Sequence, residues 1–250
     1  MPDSPLNTLS VEEWSDPSIR IIRLSRPDSR NALSVDVIRR LEAALARINA
    51  DEHVVCTVIT GGAEMFCSGL DLVEVKAGKA NELTEAMGRL VQRLRSMSAP
   101  VISLVAGPCT AGGLLIPLCS DLVVAWRNAQ FAAPEIKLGL VPAILTWAAR
   151  GRMSMSAVRA HWLTGEPFGA DDALRYGLVH QVLDDGQPLA GAIETCVAPF
   201  AGLDPATLRS TKEILAANEW PSREPKRDLV HAMQCSKDQF SARGSSRVRS

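Results

Sequence analysis

One stretch of this sequence limits the fold more than any other: residues 100–121, PVISLVAGPCTAGGLLIPLCSD. An apolar, β-rich run (Val101, Ile102, Leu104, Val105) leads to a turn at Gly107 and Pro108, then to the paired Gly112 and Gly113, a second apolar run and Asp121. That order predicts a buried strand, a tight turn and a short helix whose first amides face the turn. Free N–H groups at a helix start suit a negative oxygen, and glycine lets a ligand come close to the backbone. An oxyanion site is one reading; the other is a tight strand–helix turn that binds nothing. No charge lies between Arg95 and Asp121, which raises a membrane span, but Pro100, Pro108, Pro117 and the glycines break the run too often for one.

The remaining composition narrows the class. The 250 residues suffice for one medium domain, or a core with a smaller helical addition. With 27 Lys and Arg against 28 Asp and Glu, there is no global attraction to nucleic acid or to an acidic membrane, so any phosphate must be held locally. The polar, acidic start MPDSPLNTLSVEEW lacks a basic-then-apolar signal, which makes a cytoplasmic protein the expectation. Six scattered cysteines without CxxC read as reduced core residues, and four histidines without HExxH or a Cys/His cluster give no expectation of a metal.

Along the chain, strand, turn and helix recur. Residues 19–24 (IRIIRL) predict a strand, residues 26–31 (RPDSRN) a turn, and Ser34 an N-cap for a helix to about Ala50 with Val37, Ile38, Leu41, Leu45 and Ile48 on one face. Residues 54–60 (VVCTVIT) predict a strand buried on both faces, followed by a glycine turn and a helical stripe through Leu83, Met87, Leu90, Val91 and Leu94. The 100–121 unit is the third, and residues 122–126 and 130–132 add short strands. Such alternation points to an α/β domain. From Pro142 the pattern is helical (143–150, 154–163, 170–176, 189–201, 205–217, 226–241), with one short strand near 178–182. The basic end SARGSSRVRS reads as a frayed, solvated terminus ahead of a nucleic-acid tail.

Taken together, the turn Arg26-Pro27 to Asn31-Ala32-Leu33, the segment Phe66-Cys67-Ser68-Gly69-Leu70-Asp71-Leu72, the glycine stretch ending at Asp121, and PEIKLGLVP from Pro134 resemble the crotonase (enoyl-CoA hydratase/isomerase) superfamily. The resemblance runs from about Ile19 to about Val182, where LTGEPFGADDALRYGLVHQV also matches. It implies an α/β spiral of ββα units over residues 1–185 and a helical C-terminal appendage over 186–250, a lid or a trimerisation arm. It further implies an acyl-CoA thioester ligand, a homotrimer or a dimer of trimers, and no cofactor beyond the substrate's own coenzyme A. The matching oxyanion donors are the backbone amides of Leu70 and Gly112. Ser68, Leu70, Asp71, Leu72 and Val73 would line the acyl-CoA, with Arg26 and Arg30 near its phosphates or simply in a solvated turn.

Physical chemistry supports this assignment independently. A thioester enolate carries its charge on one oxygen, and donors fixed there stabilise the transition state more than the ground state. Glu135, in an otherwise apolar run, is the candidate proton carrier, because burial would bring its pKa toward neutrality; a surface Glu paired with Lys137 is the alternative. Hydratases of the family carry a second glutamate three residues after the oxyanion glycine. Here that residue is Leu115, which can neither take a proton nor orient water. The dienoyl isomerases' aspartate position is Ala143. One carboxylate suffices to move a proton between α and γ carbons, so double-bond isomerisation fits better than hydration, although an acid from residues 74–85 could enter the pocket. Pro117 removes the bond to the Gly113 carbonyl and predicts a kink behind Gly112.

Rival readings are another reaction of the superfamily, such as decarboxylation or thioester hydrolysis, or an acyl-CoA binder whose chemistry has lapsed. Ser68 lacks the GxSxG context, Cys67 and Cys109 read as inert core thiols rather than nucleophiles, and neither GxGxxG nor Walker A is present, which argues against NAD and ATP.

Overall fold

A computed structural model describes residues 9–219 and 225–246. Its main sheet has six strands: β1 (Leu9–Glu13), β2 (Ile19–Leu24), β3 (Cys56–Thr60), β4 (Val101–Val105), β6 (Leu122–Trp126) and β9 (Gln181–Leu183), in the order β1-β2-β3-β4-β6-β9. Only the β1–β2 pair is antiparallel. A second sheet of three short strands, β5 (Cys109–Thr110), β7 (Gln130–Ala132) and β8 (Phe168–Gly169), stands apart from it in the order β5-β7-β8.

The central strands are apolar throughout because both faces are covered. Along β4, Val101 and Val105 enter one cluster with helices α1 (Val35–Ala50) and α3 (Ala80–Arg95), while Ile102 and Leu104 enter a second with Ala192, Ile193, Cys196 and Val197 of α8 (Leu189–Val197). The first helix forms where expected. Ser34 caps it by accepting from Val37 N, and Val37, Ile38, Leu41, Leu45 and Ile48 are buried. Helix α2 (Leu72–Glu74) runs into a π-turn at Val75–Lys79, where Gly78 at φ +86° breaks the path before α3. Two further links follow the 100–121 expectation closely: a 3-10 turn (Ala111–Leu114) and then α4 (Leu115–Cys119). Pro117 is the third residue of α4, in its first turn, where no carbonyl within α4 awaits its N–H.

After Pro142 come α5 (Ala143–Ala149), α6 (Met155–Thr164), α7 (Ala170–Tyr176), α8, α9 (Pro205–Glu219) and α10 (Pro225–Ser246). Helix α10 packs on α3 and α5 of the same chain: Leu229 and Ala232 join the core, and Met233 Sδ occupies the space a Cβ on Gly88 would need. Three strands were not expected, namely β1, β5 and β8, and the one foreseen near 178–182 lies at Gln181–Leu183. The basic end is not frayed from residue 241: α10 continues to Ser246, and residues 247–250 lie outside the described ones. Among the described residues, no helix is long and apolar enough to cross a membrane.

Candidate active site

Three parallel segments lie side by side at the second sheet. The backbone of Cys67 makes an isolated parallel β-bridge with that of Cys109, and Cys109 pairs with Phe131. Counted onward from that row, Leu70 and Gly112 are each three residues further and Glu135 is four. Parallel strands in register leave at the same edge. The turns that carry all three candidate residues therefore start together, and β7 packs against the Ala111–Leu114 turn.

The Leu70 amide has its direction set by a neighbour. Leu33 N donates to Gly69 O (2.7 Å) and Asp71 N donates to Leu33 O (3.0 Å). Peptide groups alternate along an extended chain, so the Leu70 N–H points to the opposite side. That side holds the turn at Gly112, where a Cβ built on the glycine would stand 3.6 Å from Leu70 N and 3.7 Å from Met87 Cε. Gly69 is at φ +93°, and a Cβ there would come within 2.9 Å of Gly112 N. Only glycine fits at this close approach. Ala111 is at φ +51°, a conformation most residues avoid, and Gly112 follows as the second residue of the 3-10 turn, whose opening amides have no carbonyl within the helix.

Glu135 sits in a 3-10 turn (Pro134–Leu138) that Pro134 opens and left-handed Gly139 closes; Leu140 N donates to the Glu135 carbonyl at 2.9 Å. Its Oε2 is buried and has no hydrogen-bond partner among the described residues. Burial pushes its carboxyl up to about 7. Lys137, the alternative partner, bonds Glu166 at 2.7 Å instead. Leu115 is 2% exposed within the main core, and Ala143 opens α5. The acids between residues 74 and 85 are engaged elsewhere: Glu74 accepts from Val35 N and Lys79, Glu82 from Arg39 and Glu85 from Lys237.

The remaining sequence candidates divide. Ser68 is half-buried, with its N–H on the Arg30 carbonyl, and Leu72 and Val73 are exposed, as is Arg30. Arg26 is not simply a solvated turn residue: its Nη1 donates to Asp71 Oδ2 (2.9 Å) and to the Ala32 carbonyl (3.0 Å). Asp71 is buried, and its other oxygen accepts from Val73 N. Burial alone would raise its carboxyl, but the hydrogen bond and charge from Arg26, together with the Val73 amide, hold it below the usual value. The thiols of Cys67 (about 12) and Cys109 are pushed up by burial and are poor nucleophiles. Sequence reading placed Asn31 in the turn at residues 28–31, expected beside the nucleotide, and missed what its side chain holds. It is buried at φ +53°; its Oδ1 accepts from Arg26 N (2.7 Å) and its Nδ2 donates to the Met65 carbonyl (2.8 Å). A hollow of about 990 Å³ lies beyond the far end of α4, lined by Leu118, Asp121, Trp147 and Leu229 among others, and touches none of the candidate residues.

Comparison with known proteins bears on the fold and the family. The family model described as enoyl-CoA hydratase/isomerase matches residues 15–243. A probable enoyl-CoA hydratase of Mycobacterium tuberculosis is 32% identical over 206 residues, which cover 78% of this chain and 80% of that protein. The crystal structure of an enoyl-CoA hydratase from Mycobacterium smegmatis is 28% identical with a TM-score of 0.79, covering 93% of this chain and 91% of that one. One from Bacillus halodurans is 19% identical and shares the fold, with a TM-score of 0.84 over 93% of this chain and 95% of that one. The α/β architecture foreseen from the motifs is therefore that of the crotonase superfamily, and the chain belongs to the enoyl-CoA hydratase/isomerase family.

Proposed function

We propose that this chain shifts the double bond of an enoyl-CoA thioester. The Glu135 carboxylate takes the α proton of a 3-enoyl thioester; the C–H electron pair forms a double bond between the α carbon and the carbonyl carbon, and the carbonyl π pair moves onto the thioester oxygen. The Leu70 and Gly112 amides hold that oxyanion. The acid so formed returns the proton at the γ carbon as the oxyanion collapses, which leaves the 2-enoyl thioester with atoms and electrons balanced. A buried carboxyl with a pKa near neutrality is suited to both halves of this transfer.

The observation that carries this reading is Leu115, buried in apolar packing where a hydratase of the family would present its second carboxylate. Hydration is the second reading, favoured by relatives that bear the name enoyl-CoA hydratase. It would leave Glu135 alone to hold water and pass its proton to the α carbon, since the acids of residues 74–85 are tied to other elements.

On this reading, exposed Leu72 (59%) and Val73 (76%) line the coenzyme A arm with Ser68, and Arg30 lies beside its nucleotide. The C-terminal helices act as a lid or as the contact of a trimer, and the reaction uses no cofactor besides the substrate's coenzyme A. Turnover of 3-enoyl-CoA and crotonyl-CoA tests the proposal. Rapid conversion of the first with little hydration of the second is expected, and brisk hydration that survives Glu135→Gln would overturn it.

A further inference from the structure

A side-chain donor can be aimed by its rotamer, but a backbone donor is aimed only by the peptides around it. The Leu70 amide therefore depends on whatever fixes residues 65–71. One turn does this at both ends. Asn31 holds the entry through the Met65 carbonyl (2.8 Å) and is itself bonded by Arg26 N (2.7 Å). Arg26 holds the exit: its Nη1 joins Asp71 Oδ2 (2.9 Å) to the Ala32 carbonyl (3.0 Å), one residue past Leu70. The Leu33 peptide bonds Gly69 and Asp71 on either side of the same amide. The ion pair is largely shielded, with side-chain exposures of 26% for Arg26 and 8% for Asp71, so removing one partner leaves the other's charge with little solvent.

We propose that Arg26 and Asp71 are positioning residues whose ion pair aims the Leu70 amide at the thioester oxygen, so that it governs turnover rather than affinity for the substrate. This rests on the oxyanion role proposed for Leu70. A donor displaced by a fraction of an ångström loses most of its advantage in the transition state while the bound thioester loses little. Arg26 thereby acts on the acyl end of the substrate through protein and not on its phosphates.

The test compares wild type with Arg26→Gln, Arg26→Lys and Asp71→Asn, using 3-enoyl thioesters of coenzyme A and of pantetheine, and butyryl-CoA as an unreactive ligand. Bound cinnamoyl-CoA reports carbonyl polarisation by its absorption shift. Arg26→Gln and Asp71→Asn should lower kcat on the order of tenfold or more with both thioesters and shrink the absorption shift, while the butyryl-CoA Kd stays within about threefold and Arg26→Lys recovers part of the loss. A raised KM confined to the coenzyme A thioester, with kcat intact, would make Arg26 a phosphate ligand and overturn the proposal. Unchanged kcat and absorption shift would overturn it too, as would loss of folding in all three variants, which would make the pair purely structural. If wild type itself neither turns over nor shifts the probe, the oxyanion reading falls, and the positioning role falls with it.

Discussion

Leu70 and Gly112 face one another across a gap that a single methyl group would enter: a Cβ on Gly112 would stand 3.6 Å from the Leu70 nitrogen, in ordinary contact and without collision. Gly112→Ala should therefore fold with a nearly unchanged melting temperature and yet lose turnover on the order of a hundredfold, since the methyl group stands beside the oxygen's place. Gly113→Ala is the contrast. Its Cβ would meet the Cys67 carbonyl at 2.7 Å and Cys67 Cβ at 2.9 Å, so thermal melts should show a loss of stability.

In the role proposed for it, Glu135 ties activity to pH. Proton abstraction needs the carboxylate, so kcat/KM for 3-enoyl-CoA should rise with pH through an apparent pKa near 7 and level off above it. Glu135→Gln should abolish both the rate and the profile.

The same carboxyl links stability to pH. Its folded pKa of about 7 lies above the ordinary 4.5, so the native state binds a proton between those values that the unfolded chain has released. Its contribution is fully present below 4.5 and is lost as pH rises through 7. Relative to wild type, Glu135→Gln should thus gain on the order of 3 kcal/mol between pH about 4 and pH about 8, measured by denaturant unfolding at each pH. A difference independent of pH would contradict the burial that raises the group.

Leu115→Glu tests the missing carboxylate. The variant should acquire measurable hydration of crotonyl-CoA and should lose stability, on the order of 2 kcal/mol or more at neutral pH, because the new acid enters a site that is 2% exposed and apolar. Activity assays and melting curves on one preparation read both effects.

Asp121 predicts a purely structural loss. Its Oδ2 accepts from Val101 N (2.6 Å), at the start of β4, and from Lys212 Nζ (2.6 Å) on α9. Asp121→Ala should cost roughly 1–3 kcal/mol in unfolding free energy with the KM for 3-enoyl-CoA unchanged.

Much of the fold was legible because its signals are local. Ser34 and the stripe that follows it fix α1, and the unbroken apolar run of β4 announces a strand covered on both faces. The missed strands have no such signal. β1, with the sequence LSVEE, pairs with β2 alone at the sheet edge, and β5 and β8 are two residues each, made by their register with β7 rather than by propensity. At the site, the apolar neighbours of Glu135 foretold its burial. Asn31 and Ala111 could not be found that way, because their importance lies in positive φ and in hydrogen bonds to residues distant in sequence. The Arg26–Asp71 pair was invisible for the same reason: 45 residues separate its members.

The row Cys67, Cys109 and Phe131 has a last consequence, which concerns how such a protein can change. The two amides that face the gap are backbone groups, placed by strand register, by glycine geometry and by the turn at Arg26, and not by the side chains at residues 115 and 143. Those two positions lie on α4 and α5, outside the row. Substitutions there change the side chains on α4 and α5 while the backbone register of the row persists, so a lineage built on this frame can vary the one without first rebuilding the other.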